Sequence, residues 1–206
     1  MTDAVLPVPG GPTVRVEPVP RHGYSTAWWG MATVISTEAM IFIALLATYF
    51  FLRATSSQWP LGGLELPELK ITSIFSVVLI GSSIPVIYGE RAIEHNRVGA
   101  LKVALALAWL MGAAFLYRTL VDFRNLHFGW RDNAYGSIFY VTIGLHALHV
   151  VAGLAISAVV QIKVWLGRID SEHHISVDVF ALYWHFVDVV WIFVFTSLIV
   201  SPHLGR

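Results

Sequence analysis

Long uncharged apolar runs alternate with short polar connections along the chain. The runs lie at about 28–52, 71–88, 103–121, 136–165 and 177–200. Each approaches or exceeds the ~20 helical residues needed to cross a hydrocarbon layer about 30 Å thick. The first opens on the interfacial pair Trp28 and Trp29 and closes at Arg53, whose stem can reach the headgroups. The second is rich in serine and carries Pro85 near its end, which predicts a kink. In the third, Ala104, Ala108 and Gly112 recur every four residues, a small-residue seam that permits close helix approach. The fourth contains His146 and His149, and the fifth His185 and Asp188. The pattern predicts an all-α polytopic membrane bundle of five transmembrane helices over residues 28–206.

Residues 1–27 differ in kind. Pro7, Pro9, Pro12, Pro18 and Pro20 fall here among few bulky apolar side chains. Such a stretch buries too little surface to offset its ordering entropy, so a flexible proline-rich tail outside the membrane is expected. A basic n-region, a short apolar core and a small-residue cleavage site are all missing, so no secretory signal is read here.

Composition agrees: 56% of the 206 residues are hydrophobic and only 13% charged, which excludes an ordinary soluble domain. Lys plus Arg equals Asp plus Glu at 13 each, so nothing in the charge balance attracts nucleic acid. Cysteine is absent, which removes disulfides, thiolate metal sites and a cysteine nucleophile. Lys and Arg divide almost evenly between the two sides of the membrane and do not orient the chain.

Ionisable side chains within the spans carry the chemical interest, because a charge at mid-bilayer costs about 2.5–3.5 kcal/mol on insertion scales. Glu38, His146, His149, His185 and Asp188 fall at comparable depths in their helices. Thr142, His146, His149, Gly153 and Ser157 share one face of the fourth span; Trp184, His185, Asp188, Trp191 and Phe195 share one face of the fifth. On the first span Gly30, Thr33, Thr37, Ala44 and Thr48 form a small-residue strip beside Glu38. Each strip suggests a helix–helix contact. Three readings remain open for the polar set. The groups are structural, hydrogen-bonded across helices; or imidazoles and carboxylates hold a metal; or Glu38, or His185 with Asp188, handles protons. Against metal, di-iron bundles use two Glu-x-x-His motifs plus two further glutamates, and only Glu38 lies within a span. No phosphate loop, G-x-S-x-G or H-E-x-x-H motif occurs.

The strings themselves carry more information. Tyr183-Trp184-His185-Phe186-Val187-Asp188-Val189-Val190-Trp191, preceded by Tyr135-Gly136-Ser137-x-Phe139-Tyr140 and Gly144-x-His146-x-x-His149-Val150-x-x-Gly153, closely resembles cytochrome c oxidase subunit III. Ser36-x-Glu38-Ala39-Met40-x-Phe42 extends the resemblance, which covers residues 28–200. It implies a helical subunit of a haem–copper oxidase with no catalytic centre, metal or haem of its own. The haem and copper belong to partner subunits. It also implies direct packing on subunit I, neighbours that include subunit II and other respiratory-complex subunits, and support of proton uptake and enzyme durability. The implied location is the bacterial plasma (inner) membrane, with the N-terminus cytoplasmic and the C-terminus outside. Glu38 matches the family's buried glutamate, which lies near bound phospholipid in longer members. The resemblance makes His146, His149, His185 and Asp188 structural, and Gly144 and Gly153 join Ala104, Ala108 and Gly112 as packing positions.

Two departures stand out. Longer members have seven helices, and this chain carries spans that correspond to the last five. Where the family often has Gln-x-x-Glu-Tyr, this chain reads Thr119-Leu120-Val121-Asp122-Phe123, so no role passes to Asp122. The same residues fit subunit III of a quinol oxidase, or its homologue beside a nitric oxide reductase, because the electron donor docks on other chains. An independent proton-coupled transporter is the reading from another class; the lack of internal repeats argues against it.

Overall fold

The computed structural model describes residues 25–60 and 68–204, and the backbone of 5–6 and 14–15. Five helices are long and apolar enough to cross a membrane. They are α1 (Thr26–Thr55), the pair α2 (Leu69–Gly81) and α3 (Ser83–Glu94), α4 (Val98–Asn125), α5 (Ala134–Trp165), and α6 (Ile175–Val194). A π-helical turn (Phe195–Val200) continues α6 into α7 (Ser201–Leu204). Every spanning helix starts before its apolar run, and all but α5 end beyond it, since a helix satisfies its own backbone on either side of the lipid boundary. Val5–Leu6 pairs antiparallel with Val14–Arg15; the rest of the expected flexible tail, up to 24, lies outside the described residues.

Local chemistry explains the helix ends. Ser25 caps α1 by accepting the Trp28 amide at 3.2 Å, and Asn133 caps α5 by accepting the Gly136 amide at 2.8 Å. The predicted kink falls at Ser82, between α2 and α3. Pro85 has no N–H to offer the Gly81 carbonyl four residues earlier, and its ring crowds that carbonyl. The turn from α3 to α4 closes through a left-handed Asn96 at φ 56, with Asn96 N–H donating to Ile93 and Arg97 N–H to Ala92, both at 2.8 Å.

Packing places α6 at the centre, in contact with α1, α3 and α5, while α4 rests on α2, α3 and α5. The core is aromatic: Trp184, Trp191, Tyr49, Tyr135, Phe115 and Phe180 are all fully buried. Trp184 is the keystone. A Cβ at Gly112 of α4 or at Gly153 of α5 would lie 2.7 Å from its ring, so the two glycines clamp the indole from neighbouring helices. The Trp184 indole N–H donates to Ser82 Oγ at 2.8 Å, which ties α6 to the kink. Ala104 and Ala108 are buried, and Ala104 meets Gly89 of α3. Gly144 is different, since its nearest neighbour would be Phe123 at 4.0 Å.

The exterior is apolar, with Met40, Phe51, Val77, Ile84, Leu148 and Phe193 exposed, as a lipid-facing surface requires. The α1 strip of Gly30, Thr33, Thr37, Ala44 and Thr48 is exposed too, so no described helix covers it. Phe42 and Tyr49 are the α1 residues buried in the core, and Met31, Leu45, Leu46 and Leu52 pack against it.

Candidate functional site

Three separate polar groupings account for the five ionisable side chains picked out from the sequence. In the first, Glu38 of α1 meets His149 of α5, Oε2 to Nε2, at 3.2 Å. Phe42, one turn beyond Glu38, packs edge-on to His149 with ring centroids 5.1 Å apart, and the Tyr183 hydroxyl of α6 donates to the His149 carbonyl at 3.1 Å. Three helices therefore fix this pair. The other ring nitrogen, Nδ1, lies 2.8 Å from the Leu145 carbonyl, which can only accept, so Nδ1 carries a proton. A neutral His149 then presents a bare Nε2, and its bond to Glu38 needs a proton from the carboxyl. If the imidazole is doubly protonated instead, it donates to an ionised carboxylate. A hydrogen bond between the two atoms therefore takes a single proton, supplied by one partner or the other. The Glu38 side chain remains 34% exposed against 11% for His149, so the pair opens on the outer face of α1.

The second grouping joins α3 to α6. Ser83 Oγ donates to Asp188 Oδ2 at 2.5 Å and lies 2.9 Å from His185 Nδ1. A hydroxyl that donates to the carboxylate accepts from the imidazole, so the order is His185 N–H to Ser83 O–H to Asp188. His185 and Asp188 are thus bridged through a residue of another helix rather than paired along their own. His185 Nε2 sits 3.9 Å from Glu90 Oε2 of α3. Asp188 is 4% exposed, and its Oδ1 has no hydrogen-bond partner among the described residues.

His146 forms the third grouping by itself. It is buried and stacks on Trp191 with centroids 4.7 Å apart, and it meets Phe115 and Phe42 edge-on at 6.0 and 6.4 Å. Neither ring nitrogen has a hydrogen-bond partner among the described residues.

These placements bear on what the chain can hold. His149 commits both ring nitrogens, His185 turns Nδ1 to a serine, and His146 is enclosed by aromatic rings. Among the described residues no three of His, Asp and Glu gather as a metal-binding group. Asp122 pairs with Arg118 one turn earlier on α4. Sequence reasoning overlooked Ser83 and Glu90. The signal for Ser83 was the serine content of the second span, but nothing in the pattern tells which serine faces α6.

Comparison with known proteins covers nearly the whole chain. The family model described as Cytochrome c oxidase subunit III matches residues 22–201. A cytochrome c oxidase subunit 3 of Thermostichus vulcanus is 36% identical over 172 residues, which is 83% of this chain and 85% of the relative. That of Synechocystis sp. is 33% identical over 177 residues, covering 85% and 76%. A probable cytochrome c oxidase subunit 3 of Nocardia farcinica is 34% identical over 202 residues, covering 96% and 98%, so a relative of nearly the same length exists.

Proposed function

Because the chain belongs to the cytochrome c oxidase subunit III family, and is thus a multi-pass membrane subunit of a haem–copper oxidase, we propose that it holds no catalytic centre, packs directly on the large catalytic subunit, and supports proton delivery to it. Haem and copper in the partner subunits supply the oxygen chemistry in this reading. Cytochrome c is the electron donor, as the names of the relatives indicate for those proteins. The bacterial relatives support a location in a bacterial plasma membrane, and the family resemblance supports a cytoplasmic N-terminus.

One observation supports the proton-handling part: the 3.2 Å contact between Glu38 Oε2 and His149 Nε2, at a pair partly open on one side, which as a hydrogen bond takes a single proton. A neutral pair tolerates low dielectric far better than an isolated charge, and moving its proton between carboxyl and imidazole leaves net charge unchanged. The exposed small-residue strip of α1 adjoins this pair and suits close approach of a partner helix, which would bring the proton to the subunit boundary. His146, His185 and Asp188 act as structural groups, and Gly112 and Gly153 as the clamp that holds α6.

Purification of the tagged chain in mild detergent tests the assembly reading. The expected result is a reduced-minus-oxidised haem spectrum together with a large partner containing the haem. A colourless chain recovered alone, and active in proton-coupled transport after reconstitution, sinks the proposal.

A further inference from the structure

Where α3 turns into α4, two features meet that none of the polar groupings uses. Tyr88, Arg91, His95 and Arg97 line a surface pocket of about 300 Å³. Directly along the hairpin, an apolar groove of about 510 Å³ begins at the same Tyr88 and runs between α3 and α4 toward mid-membrane. Its floor is made of small or ring-closed residues, Pro85, Ala100 and Ala104, and its rims are Ile84, Val103 and Leu107.

No described residue neutralises the pocket's charge. The Arg91 and Arg97 side chains make no ion pair or hydrogen bond among the described residues. Lys102 and Lys163 at the same end are engaged, Lys102 over the Trp165 ring at 4.5 Å and Lys163 on Ser176 at 3.1 Å. The acids of α3 turn the other way: Glu90 approaches His185, and Glu90 and Glu94 both act on Asp178 of α6. The left-handed turn at Asn96 brings Arg97 back beside the last turn of α3, and both arginines line the same pocket. His95 spends Nδ1 on the Arg91 carbonyl at 2.8 Å, which leaves Nε2 as its remaining polar atom. A cationic pocket at the lipid boundary, continuous with an apolar groove that descends into the membrane, matches a ligand with a negative head and a hydrocarbon tail.

We propose that the α3–α4 hairpin holds one anionic phospholipid, its phosphate between Arg91 and Arg97 and one acyl chain along the groove from Tyr88 to Leu107. A zwitterionic lipid brings an ammonium group to the same guanidinium pair and is disfavoured. At roughly a fivefold preference per basic side chain near an anionic head, the two arginines together select by about 30-fold. Inorganic phosphate matches the head but gains nothing from the groove.

The test uses the assembled oxidase, purified through a tag on this chain. It is stripped of loose lipid, reconstituted with equal phosphatidylglycerol and phosphatidylcholine, and re-extracted gently; retained lipids are counted per complex by mass spectrometry. The unaltered complex should retain one more phosphatidylglycerol than the Arg91→Gln/Arg97→Gln complex, and millimolar inorganic phosphate should not displace it. Arg91→Lys/Arg97→Lys should keep most of that retention, while Ala100→Leu, which fills the groove and leaves both arginines, should lose it. Initial oxygen reduction should be equal in all of them. Equal phosphatidylglycerol retention in the unaltered and double-Gln complexes overturns the proposal, as does displacement by phosphate alone. Loss of a polypeptide rather than a lipid from the double-Gln complex also overturns it, because it identifies a protein as the occupant.

Discussion

A Cβ placed on Gly153 would sit 2.7 Å from Cε3 and Cζ3 of Trp184, so the absence of a side chain on α5 is what lets the indole of α6 lie flat against it. Lipid offers little hydrophobic reward for helix association, so contacts of this closeness do much of the holding. Gly144, about two and a half turns earlier on α5, has no such neighbour. Gly153→Ala should therefore lower the thermal stability of the purified oxidase and the recovery of this subunit with it, by about 1–3 kcal/mol of overpacking. Gly144→Ala should change neither. Equal melting behaviour of the two variants would falsify the clamp.

The contact between Glu38 and His149 allows a proton-handling role to be separated from an anchoring one. Gln at 38 can still donate to Nε2 through its amide, but it cannot release that proton. Glu38→Gln should assemble normally and turn over more slowly at alkaline pH, where proton supply limits, or lose activity faster during turnover. Glu38→Ala should add an assembly defect, since it strands Nε2 at about 1–3 kcal/mol. Normal turnover and durability of the Gln variant across pH leave only anchoring. Complete loss of oxygen reduction in an assembled Gln variant contradicts both roles.

Ser83 links His185 to Asp188 from the neighbouring helix. Ser83→Ala removes the donor to a carboxylate that is already buried with Oδ1 unpartnered. A loss of about 1.5–3 kcal/mol in complex stability is expected, as for a hydrogen bond to a charged group. Ser83→Thr, which keeps the hydroxyl, should recover most of it. Thermal melts of the two variants side by side decide the matter, and identical values count against the bridge.

His146 and His149 are absorbed in ring stacking and hydrogen bonds. Haem, copper, iron, zinc and manganese per assembled complex should be the same with His146→Phe or His149→Gln as without. A stoichiometric metal that disappears with either substitution would reverse the structural assignment.

Outside the membrane, Asp170 in the α5–α6 loop accepts the amides of Glu172 at 2.9 Å and His173 at 2.7 Å through Oδ1. The His173 and then the Glu172 amide bonds hold its carboxyl below the usual carboxylate range. A depressed folded value means that the order it lends the loop is complete above the ordinary aspartate pKa and is lost as pH falls through the folded one. Exchange protection of the Glu172 and His173 amides should therefore hold at neutral pH and fade on acidification below about pH 4. In Asp170→Ala, protection should be low throughout; unchanged protection there refutes the role.

Much of this protein is written locally. An apolar run long enough to span a membrane has one way to satisfy its backbone there, so helix number and approximate position follow from hydropathy. Pro85 forces its break four residues back, at the Gly81 carbonyl, whatever surrounds it. The string from Tyr183 to Trp191 identified the family, because nine adjacent residues need no three-dimensional context to be matched.

The partners of the intramembrane polar groups were of another kind. Periodicity gives each residue a depth and a direction on its own helix, and on that basis Glu38 stood alone while His185 and Asp188 looked like an intrahelical pair. The tertiary structure gave Glu38 to His149, put Ser83 between His185 and Asp188, and made Gly153 a clamp while Gly144 stayed loose. The reason is geometric. Which faces meet depends on the rotation and sliding of one helix against another. Those are set by how large side chains such as Trp184 fit the gaps that small ones leave, a property of helix pairs that no single helix carries.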